Sequence, residues 1–180
     1  IEGVYILSLA KHHNLPTTKS SFKLVGQLTR LNEDKFYTEK LSSTGKTMLE
    51  SYFAVKTSND TTVYGIHLKD MQKDNVKYQL NEKVDGQVVS YPIPWDKRYD
   101  KREIERATSG AESSLQFAKY VSLNKDKDGK FVTESLTQYD VIKLMYDLKM
   151  KGELNDGSYV MVKGKFAPNT YVKKPHTPEE

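Results

Sequence analysis

The stretch that most constrains the fold is "MLESYFAVKTSNDTTVYGIHLKDM" (48–71), in which apolar and polar residues alternate on both sides of a turn. The first half places Leu49 and Phe53 on one face, and the second half places Ile66 and Leu68 on one face. Because successive side chains of a β-strand point to opposite faces, this pattern predicts two strands, each with one apolar face. The intervening "SND" favours a turn, so the two strands predict a β-hairpin.

A third strand is predicted just upstream, in "SFKLVGQLTRL", where apolar and polar residues alternate around Gly26. A glycine inside a strand marks a bulge or a sharp bend, so the strand is expected to bend there. The polar residues 32–47 between this strand and the hairpin predict a long loop or a mobile hairpin.

The clearest helix follows Thr137, which can cap its first turn, and it is expected to stop at Gly152. Its apolar stripe is formed by Val141, Leu144, Met145 and Leu148. The turn "NDG" (155–157) then leads into a final strand. Strands, one amphipathic helix and a last strand predict a mainly β fold with a minor α component, built as an OB-like small barrel with a long insertion.

The predicted domain organisation follows from this order. Residues 1–157 form the OB-like domain, with an insertion at about 72–135, and residues 158–180 form the final strand and a tail. The apolar-x-Gly-x-apolar pattern around Gly26 recurs around Gly164. If that recurrence is a true repeat, residues 158–180 are instead the start of a second, incomplete OB-like barrel.

Charge and composition narrow the function classes. The net charge is +4 and the pI about 9.0, which favours acidic partners weakly. There is no cysteine, which excludes thiolate zinc sites and thiol nucleophiles. No apolar run approaches the roughly 18 residues of a membrane span, and the start reads as a strand or short helix rather than a signal peptide. We expect a cytoplasmic protein with no membrane partner.

Three motifs that resemble ligand sites have simpler interpretations. "STGKT" (43–47) lacks the first glycine of a phosphate-binding loop and is followed by a strand, so a flexible loop is favoured. "NKDKDGKFVTES" (124–135) has Ser135 where a calcium loop needs glutamate, so a hairpin turn is favoured. The adjacent His12 and His13 resemble a metal-binding pair, but their side chains would point to opposite faces of a strand, so surface histidines are favoured. We therefore expect no catalytic residues, no metal and no cofactor.

Lysines and aromatic residues mark a candidate binding surface instead. "YVMVKGKFAPNTYVKK" (159–174) contains lysines and aromatics but no acidic residue. Aromatic rings stack on unpaired bases, and cationic groups bind phosphates. The candidates from the strands, the 32–47 loop and this segment are Lys23, Arg30, Lys35, Phe36, Tyr37, Lys40, Lys46, Tyr52, Lys56, Lys163 and Lys165.

A second candidate group lies in "PIPWDKRYDKREIER" (92–106). Its proposed binding residues are Trp95, Arg98, Tyr99 and Arg102. Four acidic residues in the same stretch offset most of its positive charge. The alternative is a solvated helix with internal ion pairs.

The first strand, the basic-aromatic loop, the hairpin "YFAVKTSNDTTVYGIHL" and the glycine-containing strand "YVMVKGKFAPNTYV" together resemble the OB-fold single-stranded DNA-binding proteins of tailed bacteriophages. The resemblance covers about 70 residues. It implies sequence-tolerant binding of single-stranded nucleic acid, with DNA favoured, during replication or recombination in the host cytoplasm. Two features depart from the family pattern: the long insertion, and a tail with only Pro178, Glu179 and Glu180 in place of an acidic C-terminus.

We therefore expect a non-enzymatic protein that binds single strands, and that associates with itself or with replication or virion proteins. The alternative is a structural or interaction module such as a virion or tail component. A third alternative is a metal-dependent nuclease with dispersed carboxylates.

Overall fold

The structure, a computed structural model, describes residues 21–165. Within them the chain is mainly β, which confirms the predicted class. The strands are β1 Ser21–Thr29, β2 Thr38–Leu41, β3 Thr47–Lys56, β4 Thr62–Met71, β5 Asn75–Leu80, β6 Ser90–Pro94, β7 Ser113–Leu115, β8 Lys119–Lys125, β9 Phe131–Leu136 and β10 Tyr159–Lys165. The α helices are α1 Lys101–Ala107 and α2 Gln138–Met150, and short 3-10 helices cover Asp34–Phe36 and Trp95–Lys97.

The strands of residues 21–165 form three antiparallel sheets and no closed barrel. In the five-stranded sheet, β3 pairs with β4 on one side and with β1 and β2 on the other, and β10 lies beside β1. The order β6-β5-β7 makes a three-stranded sheet, and β8 and β9 make a two-stranded one. All the pairings with a recorded register are antiparallel.

The chain divides into two compact units. The first contains residues 1–25 and 160–180, of which 21–25 and 160–165 are described. The second contains residues 26–159. The predicted boundary at 157/158 stays a prediction, and so does the interpretation of the final segment as a second barrel. The tail after Lys165 lies outside the described residues. The predicted N-terminal element, with His12 and His13, also lies outside them.

The predicted hairpin is confirmed as β3 and β4, with Tyr52 opposite His67 and a bulge between Phe53 and Val55. The predicted strand around Gly26 is confirmed as β1. A Cβ at Gly26 would lie 2.1 Å from the carbonyl oxygen of Lys56, on the neighbouring strand β3. Glycine is therefore required there because another backbone approaches too closely for any side chain.

The core of the second unit joins two sheets and one helix. Leu49 of β3 packs with Val76 and Ile93 of the three-stranded sheet and with Ile142 of α2. The segment 72–135, predicted to be an insertion, thus supplies part of this core through β5, β6 and β7. Sequence periodicity does not reveal this contribution, because these strands are short and β6 contains two prolines.

Helix α2 begins where predicted, since the side chain of Thr137 accepts a hydrogen bond from the amide of Asp140. Its buried residues are Tyr139 and Ile142, whereas the four residues of the predicted stripe are only half-buried. The difference arises because the ring of Tyr139 packs edge-on against Trp95, with 5.4 Å between ring centroids. This contact draws the first turn of the helix into the core.

Candidate nucleic-acid interface

Three of the predicted lysines share one face of β1 and β10 in the first unit. A Cβ at Gly164 would lie 2.6 Å from the ring of Phe22, so these two residues occupy the same face of the strand pair. Side chains alternate along a strand, so Lys23, Lys163 and Lys165 occupy the opposite face. All three are exposed, and residues 21–25 and 160–165 contain no acidic residue. We call these three residues the lysine face.

The outer surface of the β3–β4 hairpin carries the predicted Tyr52, and the predicted Lys40 lies on the neighbouring strand β2. The Tyr52 ring is 37% exposed and stacks on His67 at 3.9 Å, with the planes 8° apart. Burial lowers the pKa of His67, which favours its neutral form in this stack. Glu50 binds Lys69 at 2.7 Å and Lys40 at 3.9 Å. The hydrogen bond from Lys69 lowers the pKa of Glu50, so this patch is an ion-paired surface with one partly exposed aromatic pair.

The residues of the 32–47 loop are more engaged within the chain than their sequence suggested. Phe36 is 1% exposed and belongs to the interior, so its ring is not available to a ligand. Tyr37 stacks on Tyr146 at 4.1 Å and donates a hydrogen bond to Glu39 at 2.9 Å.

The cations near this loop differ in their engagement. The stretch "STGKT" forms the turn between β2 and β3, and its Lys46 pairs with Asp74 at 2.7 Å. Arg30 pairs with Glu33 at 3.1 Å and lies 4.7 Å from the centroid of the Tyr64 ring. Lys35 is exposed. Lys56 is half-buried on β3, where Gly26 of β1 lies close to its carbonyl oxygen.

The group in 92–106 forms an internal network. Arg98 binds Asp140 through two hydrogen bonds, Nε to Oδ2 at 2.9 Å and Nη2 to Oδ1 at 2.8 Å. Its guanidinium lies 4.5 Å from the centroid of the Trp95 ring, which is itself 9% exposed. The Tyr99 hydroxyl donates to Asp140 at 2.6 Å and accepts from the amide of Thr137 at 2.9 Å.

This Arg98–Tyr99–Asp140 network affects the ionisation of its members. Burial and the hydrogen bond to Asp140 raise the pKa of Tyr99 to about 12. Burial acts to raise the pKa of Asp140, but the hydrogen bonds from Arg98, Tyr99 and Thr137 outweigh it and lower that pKa. The carboxylate is thus held charged, and it ties the chain around Arg98 to the first turn of α2. Arg102, by contrast, is an exposed side chain on α1.

The predicted residues therefore do not form one surface within the second unit. Phe36 and Trp95 lie in the interior, Arg98 and Tyr99 serve the network, and Lys40 and Lys46 have acidic partners. One ion pair lies within 92–106, Arg106 with Glu103 on α1, and it fits the alternative interpretation of that stretch.

One cluster was missed by sequence reasoning. A cleft of about 360 Å³ in the second unit, which we call the basic cleft, has four lysines, one exposed aromatic residue and one acidic residue, Asp70, in its lining. The lysines and the aromatic residue are Lys69, Lys73, Lys77, Lys119 and Phe117. The four-residue spacing of the first three lysines was a visible signal. That spacing does not indicate a binding site in a segment interpreted as an insertion. Phe117 and Lys119 come near the three lysines only because β5 pairs with β7.

Residues 21–165 contain neither a candidate metal site nor a candidate membrane-spanning helix. No group of three or more histidine, aspartate or glutamate side chains in this range is arranged to hold a metal ion. Neither α helix of this range has the length and apolar character needed to cross a lipid bilayer.

Comparison with known proteins finds no match: no protein-family model, no curated protein and no solved structure is significantly similar to this chain.

Proposed function

We propose that this protein binds single-stranded nucleic acid, DNA in preference, largely without regard to sequence and without catalysing a reaction. The role that follows is protection or presentation of single strands in replication or recombination. The observation that carries the proposal is the lysine face, with three exposed cations on adjacent strands and no acidic residue in the described part of that unit.

The spacing and the positive charge of the lysine face both favour binding of phosphates. Lys163 and Lys165 are two residues apart on β10, so their side chains leave the same face roughly 7 Å from each other. That distance suits successive phosphates of an extended strand. Each lysine that contacts a phosphate releases condensed counterions, which makes the affinity depend on salt. A neutralised surface such as the Glu50–Lys69 patch would supply much less of this effect.

The salt dependence of binding tests the proposal. We expect the intact protein to bind fluorescein-labelled oligo-dT with an affinity that falls steeply as NaCl rises. For the double variant Lys163→Ala/Lys165→Ala, the slope of log K against log [NaCl] should become shallower by about 1.4, because each lost contact to a single strand removes about 0.7. Fluorescence anisotropy at four salt concentrations measures both slopes.

The matched control is Lys83→Ala/Lys143→Ala, which removes two exposed lysines from a loop and from the outer surface of α2. Its slope should equal that of the unaltered protein. An unchanged slope in the Lys163/Lys165 variant removes the lysine face from the binding site. Absent or salt-insensitive binding by the intact protein refutes the function itself.

The finer fold assignment, an OB-like barrel, belongs to the same proposal. Its support is the strand β1 with Gly26 pressed against β3, the β3–β4 hairpin, and the helix that precedes the last strand. In OB-fold proteins, these elements present a sheet face to a single strand.

A second candidate is an interaction module, and one observation favours it. The β8–β9 sheet consists of only two strands and exposes Tyr120, Leu123 and Phe131 at 71%, 50% and 62%. Exposed apolar residues on a two-stranded ribbon suit contact with a partner protein. Light scattering at several concentrations would detect self-association, and oligo-dT binding that is absent or insensitive to salt would favour this candidate over the first.

A further inference from the structure

One residue that lines the basic cleft, Phe117, has an unusual backbone conformation. Phe117 lies in the turn between β7 and β8, has φ of +61°, and is 84% exposed. A bulky residue at positive φ is a strained exception, and such strain is concentrated at functional sites. Neither packing nor local conformation accounts for a phenylalanine here, since its ring is outside the core and glycine would suit the backbone better.

The turn that carries this ring is itself well anchored. The amide of Gln116 donates to the carbonyl of Lys77 at 2.8 Å, and the amide of Ala118 donates to the carbonyl of Leu115 at 3.3 Å. Leu115 is 6% exposed and belongs to the core. The ring of Phe117 is thus presented to solvent from a fixed base.

The lysines of the cleft are not equally engaged. Lys69 pairs with Glu50, and Lys73 pairs with Asp70 at 3.2 Å. For Lys77 and Lys119 the structure records no ion pair within residues 21–165, and both are exposed. Lys77 adjoins the turn through its backbone, and Lys119 follows Phe117 by two residues. Two unneutralised cations therefore flank one exposed ring.

The helix end beside the cleft does not supply an alternative anion site. The amide of Tyr139 donates to Asp70 at 3.2 Å, and the amide of Asp140 donates to Thr137 at 3.1 Å. An anion in the cleft would be bound by lysine side chains.

We propose that the basic cleft binds one nucleotide of a single strand, with its base stacked on Phe117 and its flanking phosphates bound by Lys77 and Lys119. The inference rests on the proposed function and adds a second contact site, in the second unit. A cleft of about 360 Å³ is of the size that accepts a small ligand group. The pairing of a flat ring with two cations is the combination that recognises a base and its phosphates, whereas an acidic peptide would need the cations alone.

Phe117→Gly is the direct test, because glycine removes the ring and suits the left-handed backbone. We expect the midpoint of urea unfolding to stay the same or rise, since the backbone strain is relieved. Affinity for oligo-dT should fall by about 5- to 150-fold, the range for loss of one stacking ring. When an oligonucleotide with a single 2-aminopurine binds the unaltered protein, stacking on Phe117 should quench the fluorescence of that base. Binding to Phe117→Gly should not produce this quenching.

The control for the ring is Phe131→Ala, which removes another exposed phenylalanine that does not line the cleft. Its affinity for oligo-dT should match that of the unaltered protein. An equal loss in both variants would show a general effect of exposed rings and would overturn the proposal.

The control for the charges is the same Lys83→Ala/Lys143→Ala variant. Lys77→Ala/Lys119→Ala should make the salt slope shallower by about 1.4, whereas the control should leave it unchanged.

If the intact protein binds oligo-dT but Phe117→Gly and Lys77→Ala/Lys119→Ala both bind as it does, the cleft proposal fails and the function stands. If a poly-glutamate peptide competes as well as oligo-dT, the cleft is a general anion site and the base-stacking proposal fails. If the intact protein binds no oligo-dT, both proposals fail.

Discussion

Replacing Gly26 with alanine is expected to lower the free energy of unfolding by about 3 kcal/mol or more, at the upper end of what added methyl groups cost. The new Cβ would lie 2.1 Å from the oxygen and 2.9 Å from the carbon of the Lys56 carbonyl, and 3.1 Å from the Cα of Thr57. All three atoms belong to the backbone. No side chain can rotate away to relieve the overlap, so β1 and β3 must separate where Gln27 pairs with Lys56.

Urea denaturation followed by the fluorescence of Trp95, the single tryptophan, measures this loss. The matched control is Gly45→Ala. Gly45 has φ of +73° with no atom within 4 Å of a new Cβ, so its cost is the left-handed backbone alone, about 1 kcal/mol. Equal losses in the two variants would show that the close approach of the strands is not what requires glycine at position 26.

Asp140→Ala is expected to lower the free energy of unfolding by about 3 kcal/mol, the lower end of the range for breaking a buried ion pair. The substitution removes the acceptor for two hydrogen bonds from Arg98 and one from Tyr99, and leaves the guanidinium without its counter-charge. The lower end applies because the two side chains keep 20% and 14% of their exposure. Asp147→Ala, which removes an exposed carboxylate from the same helix, should change stability little.

The Asp140 prediction has a pH signature. The pKa of Asp140 is lowered on folding, so its contribution to stability is fully present above the ordinary value of 3.8 and is lost as pH falls through the lowered value. The difference in unfolding free energy between the unaltered protein and Asp140→Ala should therefore stay constant near neutral pH and narrow in strong acid. A difference that does not narrow would show that the carboxylate charge is not the source of the effect.

Local patterns in the sequence were sufficient for several elements. Alternation predicted β3 and β4, a glycine inside a strand predicted the unusual site at Gly26, and a capping threonine predicted the start of α2. Each depends on residues within a few positions of one another.

The candidate site was harder to predict because burial and pairing are not local. Nothing near Phe36 in the sequence indicates that it is interior, and the partner of Arg98 lies 42 residues away. A basic-aromatic stretch such as 92–106 has the same composition whether its charges face a ligand or each other. The basic cleft likewise depends on the pairing of β5 with β7, whose partners lie about 35 residues apart in the chain.

The β8–β9 ribbon has a practical consequence. Its tip is closed by Asp126, which accepts hydrogen bonds from the amides of Asp128 and Lys130, and every residue from Asp126 to Lys130 is exposed. The tip stands roughly 20 Å along β8 from Lys119. A peptide tag or dye-labelling sequence spliced between Asp128 and Gly129 would lengthen the chain at an exposed turn, and would allow single molecules to be followed by fluorescence.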